Sequence, residues 1–476
     1  MADPALEAHL QIDLPEESWG ALLRPRYLAP TITLSLGVAL SAFSTFFVAT
    51  ALPSAIDELG GAEFISWATA LYLVFFIVGG LTATNLKRRF GARQALILSS
   101  LLFAAGTILT FLTPDMPMLL AGRVLQGAGE GVVMAICYAL IPELFPPGLV
   151  GKIFGVEAVV WAIAAFGGPL FAGALTESFS WRAAFGFNLP AVLVFMTLVL
   201  LTVPRGGASP GGADPVPLRR LILAGGGILI ACAASIVPPA MAALLLAVAV
   251  GLLLAAYRMD AANRRPILPT QAFSLSSSLG AGLWVILLMP LAEAAAAVFV
   301  VYGLQNIWSL GPMAAGASHA ALAVAWSLVA IVAANFRRRE TRLKLIAAGP
   351  VFLAGGMIAS TIGFHQGELT LVIAGQIAMG CGFGLNWGPL CQFLMEVSPD
   401  SERDRTSAML PTLQSAGFAI GAAVFGLSAN LSGFSESASP EVLRTALAVT
   451  FAIATVIALA SAVFGFVMLR TAGIKR

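Results

Sequence analysis

AGRVLQGAGEG at residues 121–131 and AGQIAMGCGFG at residues 374–384 are two copies of one segment, in register at an alanine and four glycines. The offset of 253 residues that aligns them also pairs Glu143 with Glu396, and NLKRR (85–89) matches NFRRR (335–339) at an offset of 250. The chain is therefore duplicated. The copies diverge where chemistry could matter: Arg123 and Glu130 in the first stand opposite Gln376 and Phe383 in the second. Two similar halves around a cavity, with charge confined to one, is the pattern of a coupled transporter.

With 59% hydrophobic and 11% charged residues over 476 positions, a water-soluble globule is excluded. Fourteen apolar runs, at 29–54, 64–84, 95–113, 118–143, 152–175, 183–203, 219–236, 240–257, 278–304, 314–334, 343–362, 370–395, 405–431 and 443–469, are long enough to span a bilayer. As helices, such runs cross a hydrocarbon layer of roughly 30 Å. Placing both termini in the cytoplasm puts 23 of the 26 lysines and arginines on that side, as the positive-inside rule demands. The remaining three are Arg182 and Arg444 at outer ends and Arg123 within a span. The basic clusters are short and juxtamembrane, which fits anionic lipid headgroups and gives no reason to expect nucleic acid. Cys137, Cys232, Cys381 and Cys391 all fall in spans and lack metal-site spacing or companion histidines, so they read as packing residues; no metal or cofactor is expected. Residues 1–28 hold five acids and no basic opening before a short apolar run, as a cytoplasmic tail would and a signal peptide would not.

Composition divides the chain further. Residues 204–217 (PRGGASPGGADPVP) read as a linker and 258–269 as a polar connection, with two featureless apolar spans between them. Removing 204–260 shortens the repeat offset from about 253 to about 196 residues, a length suited to six spans. The expected organisation is a tail (1–28), a six-helix bundle (29–203), a linker with two inserted helices (204–260), and a second six-helix bundle ending in a short cytoplasmic tail (261–476). The inserted pair is expected at the periphery, facing lipid. Gly127, Gly129 and Gly131, with Gly380, Gly382 and Gly384, mark helices that pack closely or slide.

Three acids sit well inside spans: Glu130, Glu157 and Glu293. Each must face a cavity, be paired, or hold a proton. Arg123, Gln126 and Glu130 fall at i, i+3 and i+7, on one helical face over about 10 Å. A carboxyl set between a buried cation and an apolar cavity can take up a proton from one side and release it to the other. Glu130 is the expected carrier, a static ion pair with Arg123 the competing reading, and Glu157 and Glu293 further candidates without a nearby intramembrane cation. For a cytoplasmic gate, the clusters Lys87, Arg88, Arg89 and Arg93 and Arg337 (outside the residues described below), Arg338, Arg339 and Arg342 are expected to latch onto Glu143 and Glu396. The alternative is that these arginines only set orientation. For a substrate cavity the spans offer Phe43, Phe47, Trp161 and Phe166 in the first half, and Trp284, Phe383 and Trp387, with Trp326, in the second. Polar points would come from Gln126, Gln376, Asn386 and Gln414. Plain packing competes at every one of these positions, and a lone His319 reads as a packing residue.

Four stretches then combine. LAGRVLQGAGEG contains R-x-x-Q-G at Arg123, Gln126 and Gly127; GGPLFAG (167–173) approximates G-P-x-x-G-G, with Ala172 for one glycine. WRAAFGFNLP (181–190) approximates W-R-W-x-F-x-x-N-x-P, and ATALPSAIDEL (49–59) follows a V-A-L-P pattern. In these the chain resembles the major facilitator superfamily, most closely its fourteen-span drug:proton antiporter branch. The second half matches more loosely, through Leu304–Gln305 and the stretch 414–426. The resemblance implies an all-α integral membrane protein of fourteen transmembrane helices, two six-helix bundles plus two inserted helices. It also implies proton-coupled export, by alternating access, of a hydrophobic or amphipathic small molecule. Two departures stand out: Ser44 occupies the place of an aspartate nine residues before Pro53, and Arg88 that of the acid in a D-R-x-G-R loop. The expected setting is a bacterial inner membrane, the expected partners a small-molecule substrate, protons and membrane lipids, and the expected state a monomer open to periplasmic accessory proteins. Export of a lipid, siderophore or other metabolite, or facilitation without proton antiport, remain as alternatives. An enzyme is not expected, for want of a nucleophile motif or histidine–acid cluster, nor a sensor, for want of an output domain.

Overall fold

Each apolar run folds as a helix because a chain in lipid must satisfy its backbone groups internally. The computed structural model describes residues 19–205, 217–263, 266–336, 338–435 and 439–473. Fourteen helices in it are long and apolar enough to cross a membrane. The first half holds α1 (Pro25–Leu59), α2 (Ile65–Phe90), α3 (Ala92–Phe111), α4 (Met116–Leu144), α5 (Pro147–Ser178) and α6 (Trp181–Thr202). Then come α7 (Leu218–Ala233) and α8 (Pro239–Ala261). The second half holds α9 (Ser278–Trp308), α10 (Pro312–Ala333), α11 (Arg339–Gln366), α12 (Leu369–Val397), α13 (Arg403–Leu431) and α14 (Pro440–Thr471). The protein is an all-α, multi-pass membrane protein, with no strand among the described residues. Most of the 1–28 tail and of the 204–217 linker lies outside those residues. Fourteen crossings put residues 19 and 473 at one face, called proximal below; the opposite face is distal.

The repeat read in the sequence is a repeat of backbone contacts. A Cβ on Gly127 would stand 2.2 Å from the Tyr72 carbonyl oxygen, and one on Gly131 2.0 Å from that of Phe76. Their counterparts Gly380 and Gly384 meet the carbonyls of Leu322 and Trp326 at 2.1 and 2.6 Å. Tyr72 and Leu322, like Phe76 and Trp326, are themselves 250 residues apart. On the other flank Gly106 meets the Gly122 carbonyl at 2.7 Å and Gly356 that of Gly375 at 2.6 Å. So α4 is wedged between α2 and α3 as α12 is between α10 and α11. Helices with no Cβ at the contact approach this closely, gaining dispersion energy in a solvent that offers no hydrophobic driving force.

The halves meet through α5 against α10 and α2 against α13. At the first seam a Cβ on Gly173 would lie 2.3 Å from the Met313 Cα, and Gly316 packs on the Pro169 carbonyl. The residues of the GGPLFAG stretch thus form the surface on which the opposite half docks. The inserted pair departs from its expected place. Helix α8 does face outward, with Leu244 and Val250 exposed. But α7 sits in the second seam, where Ile228 packs with Val74 of α2 and Ala419 of α13. Small residues such as Gly225, against which Val74 rests, let it enter.

Candidate functional site

Helix α4 starts at Asp115, whose carboxylate caps it by accepting from the Met118 amide at 2.9 Å. Its glycines then fix the helix, and with it the face bearing Arg123, Gln126 and Glu130. All three side chains are buried. The Arg123 guanidinium donates through Nε to the Ala68 carbonyl (3.2 Å) and through Nη1 to Gln126 Oε1 (2.8 Å). It also lies 4.1 Å from the centroid of the Tyr72 ring, a cation–π contact. Gln126 passes the chain on, its Nε2 donating to the hydroxyls of Thr107 (3.2 Å) and Thr110 (3.4 Å) on α3. The buried cation is thereby held by neutral groups from α2 and α4.

Glu130 is held by nothing comparable. Neither carboxyl oxygen has a hydrogen-bond partner, although the side chain is 2% exposed. The Tyr72 and Ser44 hydroxyls face it without reaching bonding geometry, and the Ser44 hydroxyl is likewise unpartnered. The expected static pair with Arg123 does not form. Seven residues separate them by about 10 Å along the helix, and the guanidinium turns toward α2, with the Tyr72 ring beside it. Tyr72, whose hydroxyl lies 3.4 Å from Ser41 Oγ, is the member of this cluster that the sequence reading missed. It is polar where its repeat partner, Leu322, is not.

The other two acids lie apart. Glu157 on α5 accepts from Ser35 of α1 at 3.0 Å through one oxygen and leaves the other unpartnered. Glu293 is buried in α9. Among the aromatic candidates, Phe47 belongs to the inside of the first bundle, 5.7 Å from Phe43 and packed on Phe171 and Phe187. Phe166 is exposed and Trp161 half-buried, both on α5. Trp284 donates to the Phe273 carbonyl (3.0 Å) and stacks on Phe464, so it anchors α9 to α14 and the preceding loop. Asn386 donates to the Ile346 carbonyl at 2.7 Å and staples α12 to α11. Trp387 and Gln414 are half-buried, whereas Phe383 is buried against Trp326. Gln376 is hydrogen-bonded to His319, so the buried histidine is satisfied within a polar pair.

Both acids expected at the cytoplasmic latch are engaged at the proximal face, Glu143 by Lys87 and Glu396 by Arg342, bidentate at 2.9 and 3.1 Å. Each pair joins two helices of one half, so neither ties the two halves together here. Of the cations expected there, Arg338 and Arg339 are exposed, Arg93 is half-buried, and Arg89 lies over the Phe90 ring; Arg88 is exposed. The halves are instead joined distally. Glu177 of α5 accepts from the Met313 amide of α10 at 2.8 Å, and Gln305 of α9 donates to the Thr50 carbonyl at 3.4 Å. Asn430 of α13 donates at 3.1 Å to both the Glu63 and the Ser235 carbonyls, while the Trp67 indole donates to the Ser235 hydroxyl. That knot ties the first half, the second half and the inserted pair at one point.

Comparisons with known proteins agree with this architecture. A family model described as Major Facilitator Superfamily matches residues 34–359. A Mycobacterium tuberculosis protein named "Probable multidrug-efflux transporter" is 30% identical over 446 residues, covering 91% of this chain and 94% of that protein. Multidrug resistance protein 3 of Bacillus subtilis is 31% identical over 157 residues, 33% of this chain and 31% of its own. Among solved structures, a bacterial homolog of the human lysosomal transporter Spinster superposes with a TM-score of 0.69 at 14% identity, covering 94% of this chain and 98% of that one. A D-xylose-proton symporter gives 0.64 at 16% identity, covering 92% and 97%.

Proposed function

The chain belongs to the Major Facilitator Superfamily, and we propose that it is a proton-driven exporter of hydrophobic or amphipathic small molecules. It works by alternating access in a bacterial inner membrane, with both termini in the cytoplasm. The observation that carries this reading is the Glu130 carboxyl, buried with no donor on either oxygen. An ionised group there has the Tyr72 and Ser44 hydroxyls facing it and Arg123 two turns away but no formed hydrogen bond, which leaves much of a desolvation cost of several kcal/mol uncompensated. The site can therefore hold its charge only when water or a rearranged Tyr72 or Ser44 hydroxyl reaches it, which couples its proton to the state of the cavity. Ser44 is where the related antiporters carry an aspartate on the first helix. Here a carboxyl reaches the same locus from α4.

Arg123 plays a supporting part. Its bonds to Ala68 and Gln126 keep the cation in place whether or not Glu130 is charged, so protonation leaves the α2–α4 contact intact. Alternation then consists of breaking the distal contacts at Glu177, Thr50 and Asn430 while closing the proximal side. A relative named as a probable multidrug-efflux transporter, matched over 91% of this chain, supports an exporter of small molecules over an importer.

The test uses purified protein in liposomes with a pH dye inside, challenged with a panel of dyes, lipids and siderophores. Substrate flux should move protons in the opposite direction, and Glu130→Gln should abolish that proton movement and slow gradient-driven flux at least about 100-fold. Such a loss corresponds to roughly 2.7 kcal/mol on the coupled cycle. Export by Glu130→Gln at the wild-type rate under an imposed pH gradient would refute the coupling and leave a facilitator.

A further inference from the structure

We propose that α10 and α12 form a binding site in the second half for a neutral, planar aromatic molecule that carries a hydrogen-bond acceptor. This names the substrate class of the exporter proposed above and rests on that reading. His319 and Trp326 lie seven residues apart on α10, and Gln376 and Phe383 seven apart on α12. That spacing places each pair on one helical face with a rise of about 10 Å. The two faces meet as two rungs. In one, His319 Nδ1 lies 3.1 Å from Gln376 Oε1; in the other, the Trp326 and Phe383 rings stack with centroids 4.9 Å apart and planes at 28°.

The polar rung is incomplete. Gln376 is 1% exposed and its Nε2 has no partner. With Oε1 accepting from His319 Nδ1, the atom left orphaned is a donor, the Nε2 amide group. A buried amide left this way is destabilising, and a ligand that brings an acceptor removes the penalty. In the first half the position matched to Gln376 is Arg123, whose guanidinium is bonded to Ala68 and Gln126. At this matched position, then, only the second half has an unfilled donor.

The aromatic rung supplies the second element. Trp326, unlike the buried Phe383, is only half-buried. Gly380 and Gly384 bring the two backbones into contact between the rungs, so the ligand lies along the ladder and not through it. Its ring system extends the Trp326–Phe383 stack while its acceptor reaches Gln376, about two helical turns away. Neutrality follows from the surroundings: neither rung carries a carboxylate or an ammonium group, and the charged cluster of Arg123 and Glu130 belongs to the other half.

The experiment measures equilibrium binding of radiolabelled flavone, a neutral planar ketone, to the full-length protein in lipid nanodiscs. Competitors are unlabelled flavone, 2-phenylnaphthalene (a hydrocarbon of similar shape without an acceptor) and ethidium (a planar cation). Flavone should displace the label at about one-tenth the concentration that 2-phenylnaphthalene needs, the range for a hydrogen bond to an otherwise unpaired buried donor. Ethidium should not displace it. Gln376→Met should erase the tenfold preference while keeping affinity for the hydrocarbon, and Phe383→Ala should weaken both ligands alike. Equal displacement by flavone and 2-phenylnaphthalene in the wild type overturns the site whatever the variants do. So does a preference that survives in Gln376→Met, or displacement by ethidium as strong as by flavone. The assay needs no gradient. Intact preference in Glu130→Gln supports the site independently of coupling, whereas proton-coupled flux of other dyes with no flavone binding sinks this site alone.

Discussion

Helices α4 and α12 occupy matched places in the two halves, touch matched carbonyls through matched glycines, and yet carry opposite chemistry. On α4 the face holds a buried arginine with a full set of neutral partners and, two turns on, a carboxyl with none. On α12 the same places carry a glutamine paired with His319 and a phenylalanine stacked on Trp326. The shared part fixes the backbone; on the reading proposed above, the divergent part gives a proton to one half and a flat apolar molecule to the other. Duplication supplies the rocking scaffold, and substitutions at a few face positions divide the labour.

The strongest way to break that comparison is to make α4 resemble α12. Arg123→Gln installs the residue its counterpart carries, but the Ala68 carbonyl and the Gln126 amide oxygen then lose a charged donor in a buried setting. Each buried acceptor left without its donor costs about 1–3 kcal/mol. Thermal stability in detergent should fall accordingly and coupled flux should become undetectable. Gln376→Arg on the other side places an unpaired cation beside His319 and should be as damaging. If either variant kept wild-type stability, the idea that the two faces are chemically committed would fail.

Next in size is the glycine scaffold, where the comparison predicts a ranked pair. A Cβ at position 131 would meet the Phe76 carbonyl at 2.0 Å, whereas one at 384 would meet that of Trp326 at 2.6 Å. Both are closer than real Cβ contacts, and a backbone atom cannot swing aside. Overpacking of this kind costs about 1–3 kcal/mol, with Gly131→Ala at the upper end and Gly384→Ala below it. Melting temperatures of the two variants give the order directly; a reversed order would mean that the halves differ in rigidity as well as chemistry.

Much of this was legible before any coordinates. Fourteen apolar runs and two glycine-marked copies follow from bilayer thickness and close helix packing, so length and repeat spacing were enough for the fold. The charged face of α4 was legible as well, because three polar residues at helical spacing in an apolar run have one physical explanation. The partners across the packing interface were not. Tyr72 lies 58 residues before Glu130 and looks like any interfacial aromatic until α2 is laid on α4. The repeat held a usable signal, since Tyr72 stands against Leu322, as Glu130 stands against Phe383. The proximal ion pairs show the same boundary. Their acids, Glu143 and Glu396, sit at fixed helix ends, but each cation was one of several on neighbouring turns, and only packing selects Lys87 and Arg342. Span length and polarity also could not place α7, since an apolar helix suits a seam as well as lipid.

The distal knot refines the comparison at the level of motion. Asn430→Ala removes the donor shared by the Glu63 and Ser235 carbonyls, one in the first half and one in the inserted pair. Each such bond is worth about 1 kcal/mol net, so losing both should raise the distally open population roughly 30-fold. Pulsed electron-spin distances between labels at the distal ends of α2 and α13 would report the shift. An unchanged distance distribution would mean that α5 and α10 alone hold that side closed.

The proximal ion pairs should give the smallest response, and that smallness is the point. Lys87–Glu143 and Arg342–Glu396 both have half-exposed carboxylates, at 53% and 40% side-chain exposure, which limits such pairs to about 0.2–1 kcal/mol. The bidentate Arg342 pair should be the stronger, so Arg342→Gln should lower the melting temperature by more than Lys87→Gln, and both losses should shrink in high salt. Because each pair lies within one half, neither substitution should move the distal spin distances or the ratio of protons to substrate. A change in that ratio in Lys87→Gln or Arg342→Gln would show that the pairs engage the opposite half during the cycle, and would restore to Glu143 and Glu396 the gating role that their intra-half contacts argue against.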